Sequence, residues 1–211
     1  MRKVWIESPS GAYEQLFKRA GWEMADSIAT ADLVQFTGGS DVNPELYGEA
    51  LHPRSMVHKQ RDVVEARLYK ACLARGIPMA GICRGGQFLN VMNGGKMYQH
   101  VDGHAIGGTH MVINTATGGM MPATSTHHQM MIPTPSAKIL GVASEAENYQ
   151  KMQSGKLLNL KPRAGGDIEV LFYSLTRTLC FQPHPELMAT NSPCRKWYME
   201  LIEEHLFKEA A

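Results

Sequence analysis

The sequence lacks the features that mark several common classes of protein. No apolar run approaches the ~18 residues of a membrane-spanning helix, so we expect no membrane span. The chain has 21 Lys and Arg against 20 Asp and Glu, so no excess of positive charge indicates a nucleic-acid or membrane-surface partner. Its first residues, MRKVWIESPS, are basic but lack the apolar core of a signal peptide. We therefore expect a cytoplasmic protein.

Cysteine is scarce, and its spacing excludes two kinds of site. The four cysteines are Cys72, Cys83, Cys180 and Cys194. None forms a C-x-x-C pair, so the sequence predicts neither a zinc site nor a disulfide framework, and a reduced, intracellular chain is favoured. The histidines of the middle region, His100, His104 and His110, are spaced too irregularly to indicate metal ligation. We expect neither a metal nor another cofactor.

Length and composition fit one globular domain. With 211 residues, 44% of them hydrophobic, the chain can bury a sizeable core. No internal repeat, low-complexity tract or linker divides it, so we expect a single domain over residues 1–211.

Strand and helix patterns alternate along the first half of the chain. Strands are predicted over 3–7, 31–39 and 77–83, and helices over 11–21 and 60–76. Such alternation predicts a parallel sheet with helices on both faces. Between 95 and 180 the strand patterns follow one another without helices, and a terminal helix is predicted over 192–210. We therefore expect a flavodoxin-like three-layer α/β sandwich with a mostly parallel central sheet and a small antiparallel extension.

The helix predicted over 60–76 is amphipathic. Its predicted buried face consists of Val64, Leu68, Ala71 and Cys72. Asp62 suits the positive end of the helix dipole and is expected on a solvated face.

The segment GICRGG places Cys83 between a buried strand and a helix. Pro78 precedes the strand, and Phe88, Leu89 and Met92 follow at helical spacing. A residue at a sharp strand-to-helix turn occupies a nucleophile elbow, where its side chain is exposed beside backbone N–H groups. A helix N-terminus also favours the thiolate form of a cysteine. Cys83 is therefore the candidate nucleophile.

A cysteine nucleophile needs a base, and the base needs an orienting group. The segment QPHPE, after the strand predicted at 178–182, supplies His184 and Glu186, with a proline on each side of the histidine. His127 and His128 in STHHQ are the nearest rivals for the role of base. Because ligands bind at the carboxyl ends of parallel strands, Cys83, His184 and the turn TGGSD are expected to meet.

Attack on a carbonyl creates an oxyanion, which N–H donors must stabilise. The elbow offers the amide of Arg84. The glycine turn at 37–41 offers a second donor, from Gly39 or Ser40.

Four segments together resemble one known family. The nucleophile segment GICRGGQFLNVMNGGKMYQHV, together with FTGGSDVNPELYGE, STHHQ and FQPHPE, is similar to class I glutamine amidotransferase-like proteins. The likeness is nearest to the branch of the γ-glutamyl-γ-aminobutyrate hydrolases, the C26 peptidases. The segments occur in the family's order and cover most of residues 31–188.

The resemblance implies a Cys83–His184–Glu186 triad with oxyanion donors at Arg84 and at Gly39 or Ser40. It places Gln87 among the groups that hold the glutamyl part of the substrate. It also places Ser125, Thr126 and His127 on the rim of the same pocket.

The implied chemistry is hydrolysis of a γ-glutamyl amide through a thioester. Glutaminase activity of the amidotransferase type is favoured, with a small-molecule substrate and a synthetase subunit as a candidate acceptor of ammonia. The first alternative is a stand-alone hydrolase of γ-glutamyl amines or peptides. The second is a non-catalytic relative that binds a small molecule or regulates a partner.

Overall fold

The computed structural model describes residues 1–143, 148–160 and 165–208. The α-helices are α1 (Gly11–Lys18), α2 (Lys59–Arg75), α3 (Arg84–Met92) and α4 (Pro193–Ile202), and short 3-10 helices span Ile28–Thr30, Pro44–Tyr47 and Pro185–Leu187. The first strands are β1 (Lys3–Ile6), β2 (Glu23–Met24), β3 (Leu33–Phe36), β4 (Met79–Ile82), β5 (Lys96–Tyr98), β6 (His100–Val101) and β7 (Gly108–Asn114). The remaining strands are β8 (Met120–Ser125), β9 (Met130–Ile132), β10 (Lys138–Ala143), β11 (Tyr149–Gln153), β12 (Lys156–Leu160), β13 (Asp167–Tyr173) and β14 (Thr178–Phe181).

A nine-stranded mixed sheet forms the centre of the molecule. Its strand order is β2-β1-β3-β4-β14-β13-β10-β7-β8, and the first five strands run parallel to their neighbours. From β13 onward, each pairing is antiparallel. The predicted α/β class is confirmed, but the antiparallel part supplies four of the nine strands and is therefore not a small extension. The remaining described strands form sheets of three (β12-β11-β6) and two (β5-β9).

Helices cover both faces of the sheet. One core cluster joins β1 and β14 to α1 and α4 through side chains such as Val4, Phe181, Phe17 and Trp197. The other cluster joins β3 and β4 to α2 and α3 through side chains such as Phe36 and Phe88. All four residues of β4 are buried, as expected for a strand covered on both faces.

The buried face of α2 differs from the prediction. Leu68 and Cys72 are buried, but Val64 is 48% exposed. Asp62 and Glu65 occupy the buried face instead, and the predicted solvated position of Asp62 is wrong. The reason is electrostatic: both carboxylates form ion pairs with the buried guanidinium of Arg84.

The terminal helix begins as predicted but changes form before its end. The Ser192 hydroxyl accepts a hydrogen bond from the Arg195 N–H, and Pro193 occupies the first turn. The α-helix ends at Ile202, and Glu203–Phe207 continue as a π-helix, while residues 209–211 lie outside the described chain. Among the described residues, no helix has both the length and the apolar character needed to cross a bilayer.

Candidate active site

Three segments meet where β3, β4 and β14 end. These strands are neighbours in the sheet and run parallel, so their carboxyl ends lie at one edge. The residues that follow them are Thr37–Ser40, Cys83 and the loop that carries His184. The predicted meeting of these segments is confirmed by this topology.

Cys83 lies in the turn between β4 and α3 with strained backbone geometry. Its φ is 50° and its ψ is −115°, a conformation that is unusual for a residue with a Cβ atom. The turn is held by a 2.8 Å hydrogen bond from the Cys83 N–H to the Phe181 carbonyl. A Cβ atom at Gly81 or Gly85 would lie 2.4 Å from backbone atoms of α3 or β3, respectively, so close packing at the turn depends on both glycines. This backbone geometry matches the elbow that the sequence predicted, but the side chain of Cys83 is buried rather than exposed, with only 8% of the residue accessible.

His184 lies between Glu186 and Cys83. Its Nδ1 is 2.6 Å from Oε1 of Glu186, whose side chain is almost fully buried. Burial lowers the pKa of His184, but hydrogen bonds to Cys83 and Glu186 outweigh that effect and raise the pKa to about 10. The arrangement therefore favours an imidazolium beside the thiol at neutral pH.

Backbone N–H groups surround the elbow. The Arg84 N–H belongs to the first turn of α3 and has no acceptor within the helix. Within the described residues, the N–H groups of Gly39 and Ser40 likewise donate no hydrogen bond. Gly39 is exposed and has φ +144°.

Arg61 fixes the orientation of the glycine turn. Its guanidinium donates to the carbonyl oxygens of Gly38 (2.9 Å) and Thr37 (3.0 Å), and it also pairs with Glu7 and Glu65. Because a trans peptide has its C=O and N–H on opposite edges, the Gly39 N–H points away from Arg61. A side chain at position 39 would collide with this guanidinium.

Tyr13 links the glycine turn to Glu186, the partner of His184. Its hydroxyl accepts a 2.8 Å hydrogen bond from the Gly38 N–H. Burial and then the charge of Glu186 raise the pKa of Tyr13, so the hydroxyl stays protonated. The sequence analysis missed this residue, because an aromatic side chain in a short helix gives no functional signal.

A buried ionic network supports the same region. The Arg84 side chain is 1% exposed and pairs with Asp62 and Glu65 of α2, and Arg61 also pairs with Glu65. Burial lowers the pKa of Arg84 to about 10. Positions 62 and 65 share the helix face of Leu68 and Cys72, and that spacing is the signal by which sequence reasoning could have found the network.

The residues predicted to hold substrate are placed at different depths. Gln87 is buried, and its amide donates to the side chain of Gln182 and the backbone of Gln129. Ser125 is fully buried and donates to the His104 carbonyl, and His127 is buried against His104 and Glu169. Thr126, between them, is exposed.

The remaining cysteines are buried thiols. Burial raises the pKa of Cys72 and of Cys194 to about 12, and it raises the pKa of Cys180 as well. Cys194 is therefore less reactive than its position at a helix N-terminus suggests.

Comparisons with known proteins agree with this architecture. A family model described as Peptidase C26 matches residues 17–148, which is more than half of the chain. A Mycobacterium tuberculosis protein named "Putative glutamine amidotransferase Rv2859c" is 40% identical over 92 residues, covering 39% of this chain and 30% of that protein. The matched segments span about a third of the length of the curated relatives.

Solved structures share the fold at low sequence identity. A glutamine amidotransferase from Thermotoga maritima superposes with a TM-score of 0.62 at 17% identity, covering 98% of this chain and 84% of that one. A Thermoplasma acidophilum protein described as a "putative gmp synthase subunit a protein" gives a TM-score of 0.60 at 12% identity, covering 97% and 98%.

Proposed function

Because the chain belongs to the peptidase C26 family, we propose that it hydrolyses a γ-glutamyl amide with Cys83 as its nucleophile. His184 acts as general acid and base, and Glu186 orients it. The observation that carries the proposal is the contact of His184 with both partners: Nδ1 lies 2.6 Å from Glu186, and a hydrogen bond to Cys83 contributes to its raised pKa.

In the first half of the reaction, the Cys83 thiolate attacks the γ-carbonyl carbon. The carbonyl oxygen becomes an oxyanion, which accepts hydrogen bonds from the N–H of Arg84 and from that of Gly39 or Ser40. The His184 imidazolium then gives a proton to the leaving nitrogen. The C–N bond breaks, the amine or ammonia departs, and a thioester joins Cys83 to the glutamyl group.

In the second half, water replaces the amine. Neutral His184 takes a proton from the water as it attacks the thioester, and the same N–H donors stabilise the second oxyanion. The C–S bond breaks, glutamate leaves, and the Cys83 thiolate is restored beside protonated His184. Glu186 stays ionised and offsets the charge of the imidazolium.

Gln87, Ser125, Thr126 and His127 remain candidates for shaping the pocket around the glutamyl group. Since Ser125 and His127 are buried, we propose that they shape it from beneath the surface, whereas exposed Thr126 is free to contact substrate.

Two versions of the function differ in the fate of the amine. In the first, the substrate is glutamine and ammonia passes to a synthetase subunit. The relative named as an amidotransferase and the structural neighbour described as a synthase subunit support this version. In the second, the chain acts alone on γ-glutamyl amines, which the match to the peptidase C26 family supports.

Labelling the nucleophile tests the proposal. The protein is treated with diazo-oxonorleucine, a glutamine-mimicking electrophile, and the adduct is mapped by mass spectrometry. We expect modification of Cys83, and we expect Cys83→Ala to lose both the label and turnover. Cys72→Ala, which removes a buried thiol outside the site, is the matched control and should still be labelled at Cys83. Labelling at Cys194 with Cys83 untouched would refute the assignment.

A further inference from the structure

A second polar cluster lies buried in the antiparallel half of the sheet. Its members come from three separate segments: His104 and His110 lie just before and on β7, His127 follows β8 and Glu169 lies on β13. The side chains of these residues are 0–11% exposed. The proposed reaction uses none of His104, His110 and Glu169.

The nitrogen and oxygen atoms of this cluster have the spacing of metal ligands. His104 Nδ1 and His127 Nε2 are 3.1 Å apart, and they lie 3.5 and 3.3 Å from Glu169 Oε1. His110 Nε2 lies 3.6 Å from the other oxygen of Glu169. Zinc–nitrogen bonds of 2.0–2.1 Å in a tetrahedron separate neighbouring ligand atoms by about 3.3 Å. The ligand atoms of His104, His110 and Glu169 all lie within 4.8 Å of one another.

The cluster also has the outer hydrogen bonds of a metal centre. The second ring nitrogen of His104, Nε2, lies 2.6 Å from a carboxylate oxygen of Asp167. Asp167 in turn accepts a hydrogen bond from the Tyr149 hydroxyl. A carboxylate on the far nitrogen of a ligating histidine fixes its tautomer and leaves the near nitrogen free for the metal.

Only long contacts join Glu169 to its histidine neighbours. His127 Nε2 and His110 Nε2 lie 3.3 and 3.6 Å from the two oxygens of Glu169, so the hydrogen bonds between them are longer than the usual range of about 2.7–3.2 Å. Buried polar atoms held by such weak hydrogen bonds are uncommon and costly. A cation among these atoms would bind all of them at once.

We propose that His104, His110, His127 and Glu169 bind one divalent transition-metal ion of the zinc class. Three imidazoles and one carboxylate suit zinc, whereas magnesium and calcium prefer all-oxygen ligand sets. Four protein ligands close the coordination sphere, so the role is structural. No metal was expected from the sequence, because His100, His104 and His110 are spaced irregularly and the other two ligands, His127 and Glu169, lie far from them in the chain.

The site would brace the loop that carries the proposed base. The Glu169 carbonyl accepts a 2.8 Å hydrogen bond from the Gln182 N–H, and the hydroxyl of Thr124 accepts one of 2.6 Å from the His184 N–H. The first acceptor belongs to a proposed ligand, Glu169, and the second, Thr124, lies three residues before the proposed ligand His127. The ion would therefore tie β7, β8 and β13 together behind His184.

Metal analysis of the unmodified chain is the first test. The protein is produced without a histidine tag in zinc-supplemented medium, passed through gel filtration and analysed by elemental mass spectrometry. We expect about one zinc ion per chain, and we expect chelation to release it and lower Tm by about 5–10 °C, with recovery when zinc is restored. Less than about 0.1 ion per chain, with a Tm that added zinc does not change, would overturn the proposal in favour of a metal-free hydrogen-bonded network.

Neighbouring histidines supply matched variants. His127→Gln should lose the bound ion, whereas His128→Gln should keep it, because His128 contacts Asp41 rather than the cluster. Should His127→Gln fail to fold, cobalt loading of the unmodified chain provides an independent measurement: a tetrahedral site gives intense visible absorption bands. Equal zinc content in the two folded variants, or only the weak bands of octahedral cobalt, would count against the site. These readouts do not depend on Cys83 or on turnover.

Discussion

At the scale of residues, the raised pKa of His184 is the property on which the proposed chemistry depends. The imidazole of His184 is hydrogen-bonded to Glu186 through Nδ1 and is also hydrogen-bonded to Cys83. Burial alone would lower the pKa of His184. Since the two hydrogen bonds outweigh burial, removal of either partner should lower the pKa of His184 by a measurable amount.

Removing the thiol should lower the pKa of His184. The hydrogen bond to Cys83 is the largest influence that raises it, so in Cys83→Ala the pKa should fall from about 10 toward the ordinary value of 6.5. Imidazole NMR across a pH titration measures it directly, with Cys72→Ala as the control that leaves it unchanged. An identical His184 pKa in the unmodified chain and Cys83→Ala would contradict the assigned contact.

The same shift predicts how stability depends on pH. The folded pKa lies above the ordinary value of 6.5, so the stabilising contribution of His184 is full below pH 6.5 and is lost as pH rises through about 10. The difference in free energy of unfolding between the unmodified chain and His184→Asn should therefore shrink between pH 7 and pH 10. Urea titrations at several pH values provide the measurement, and a difference that grows over this range would show that the sign is wrong.

Arg61 should act on kcat through the glycine turn. Arg61→Gln removes the guanidinium that holds the Gly38 and Thr37 carbonyls, so the Gly39 N–H loses its fixed direction. Loss of one oxyanion donor costs ~10²–10³-fold in kcat, and we expect a loss near the lower end with little change in KM. Lys59→Gln, two residues earlier on an exposed surface, is the control. A raised KM at unchanged kcat would instead place Arg61 in substrate binding.

At the scale of elements, the approach of α3 to the sheet decides where the elbow lies. Gly85, in the first turn of α3, passes so close to β3 that a Cβ atom would lie 2.4 Å from the Phe36 carbonyl oxygen. The helix cannot keep this position with a larger residue there. The precision of the site therefore depends on backbone contact between two elements as well as on the side chains that they carry.

Gly85→Ala should lower both stability and reactivity. Displacement of α3 from β3 is expected to cost about 1–3 kcal/mol in the free energy of unfolding and to slow labelling of Cys83. Gly11→Ala is the matched control: it lies at the start of α1, where a Cβ atom meets no other atom within 4 Å, and it should leave labelling intact. Urea denaturation and labelling rates give the comparison, and equal behaviour of the two variants would rule out this role for the close approach.

Sequence patterns predicted the helices and strands better than they predicted the contacts between those elements. The strand before Cys83, the helix after it and the cap of α4 by Ser192 are local properties of residue type and spacing. The burial of Asp62 could not be predicted in the same way, because it depends on Arg84 of another helix. The cluster around Glu169 escaped prediction for the same reason, since three segments that are separate in the chain form it.

At the scale of the whole molecule, the two versions of the proposed function differ in the amine that leaves. The order of the parallel strands and their helices could be predicted from alternation in the sequence, but the extent of the antiparallel half could not. Where short strands follow one another without helices between them, the sequence does not indicate which strands pair. This antiparallel half carries Ser125 at the end of β8, with His127 two residues later, and under the proposed function both residues shape the pocket for the glutamyl group.

Substrate preference separates the two versions of the proposed function. The purified chain is assayed with glutamine and with γ-glutamyl amines of increasing length. If a synthetase subunit is required, turnover of glutamine should be weak, with no gain from longer amines. A kcat/KM for a γ-glutamyl amine more than ~10²-fold above that for glutamine, about 2.7 kcal/mol in transition-state binding, would instead establish the stand-alone hydrolase.

The pairing of β4 with β14 determines when the elbow can form during synthesis of the chain. Met79–Ile82 lies beside Thr178–Phe181, and the Cys83 N–H is held by the Phe181 carbonyl, so the elbow is completed by residues almost a hundred positions later. Contacts this distant form late, and during synthesis they must wait until the second strand has left the ribosome. A nascent chain that ends before β14 contains Cys83 but neither its partner strand nor His184. Under the proposed function, the nucleophile is therefore synthesised before the strand and the base that would complete its site.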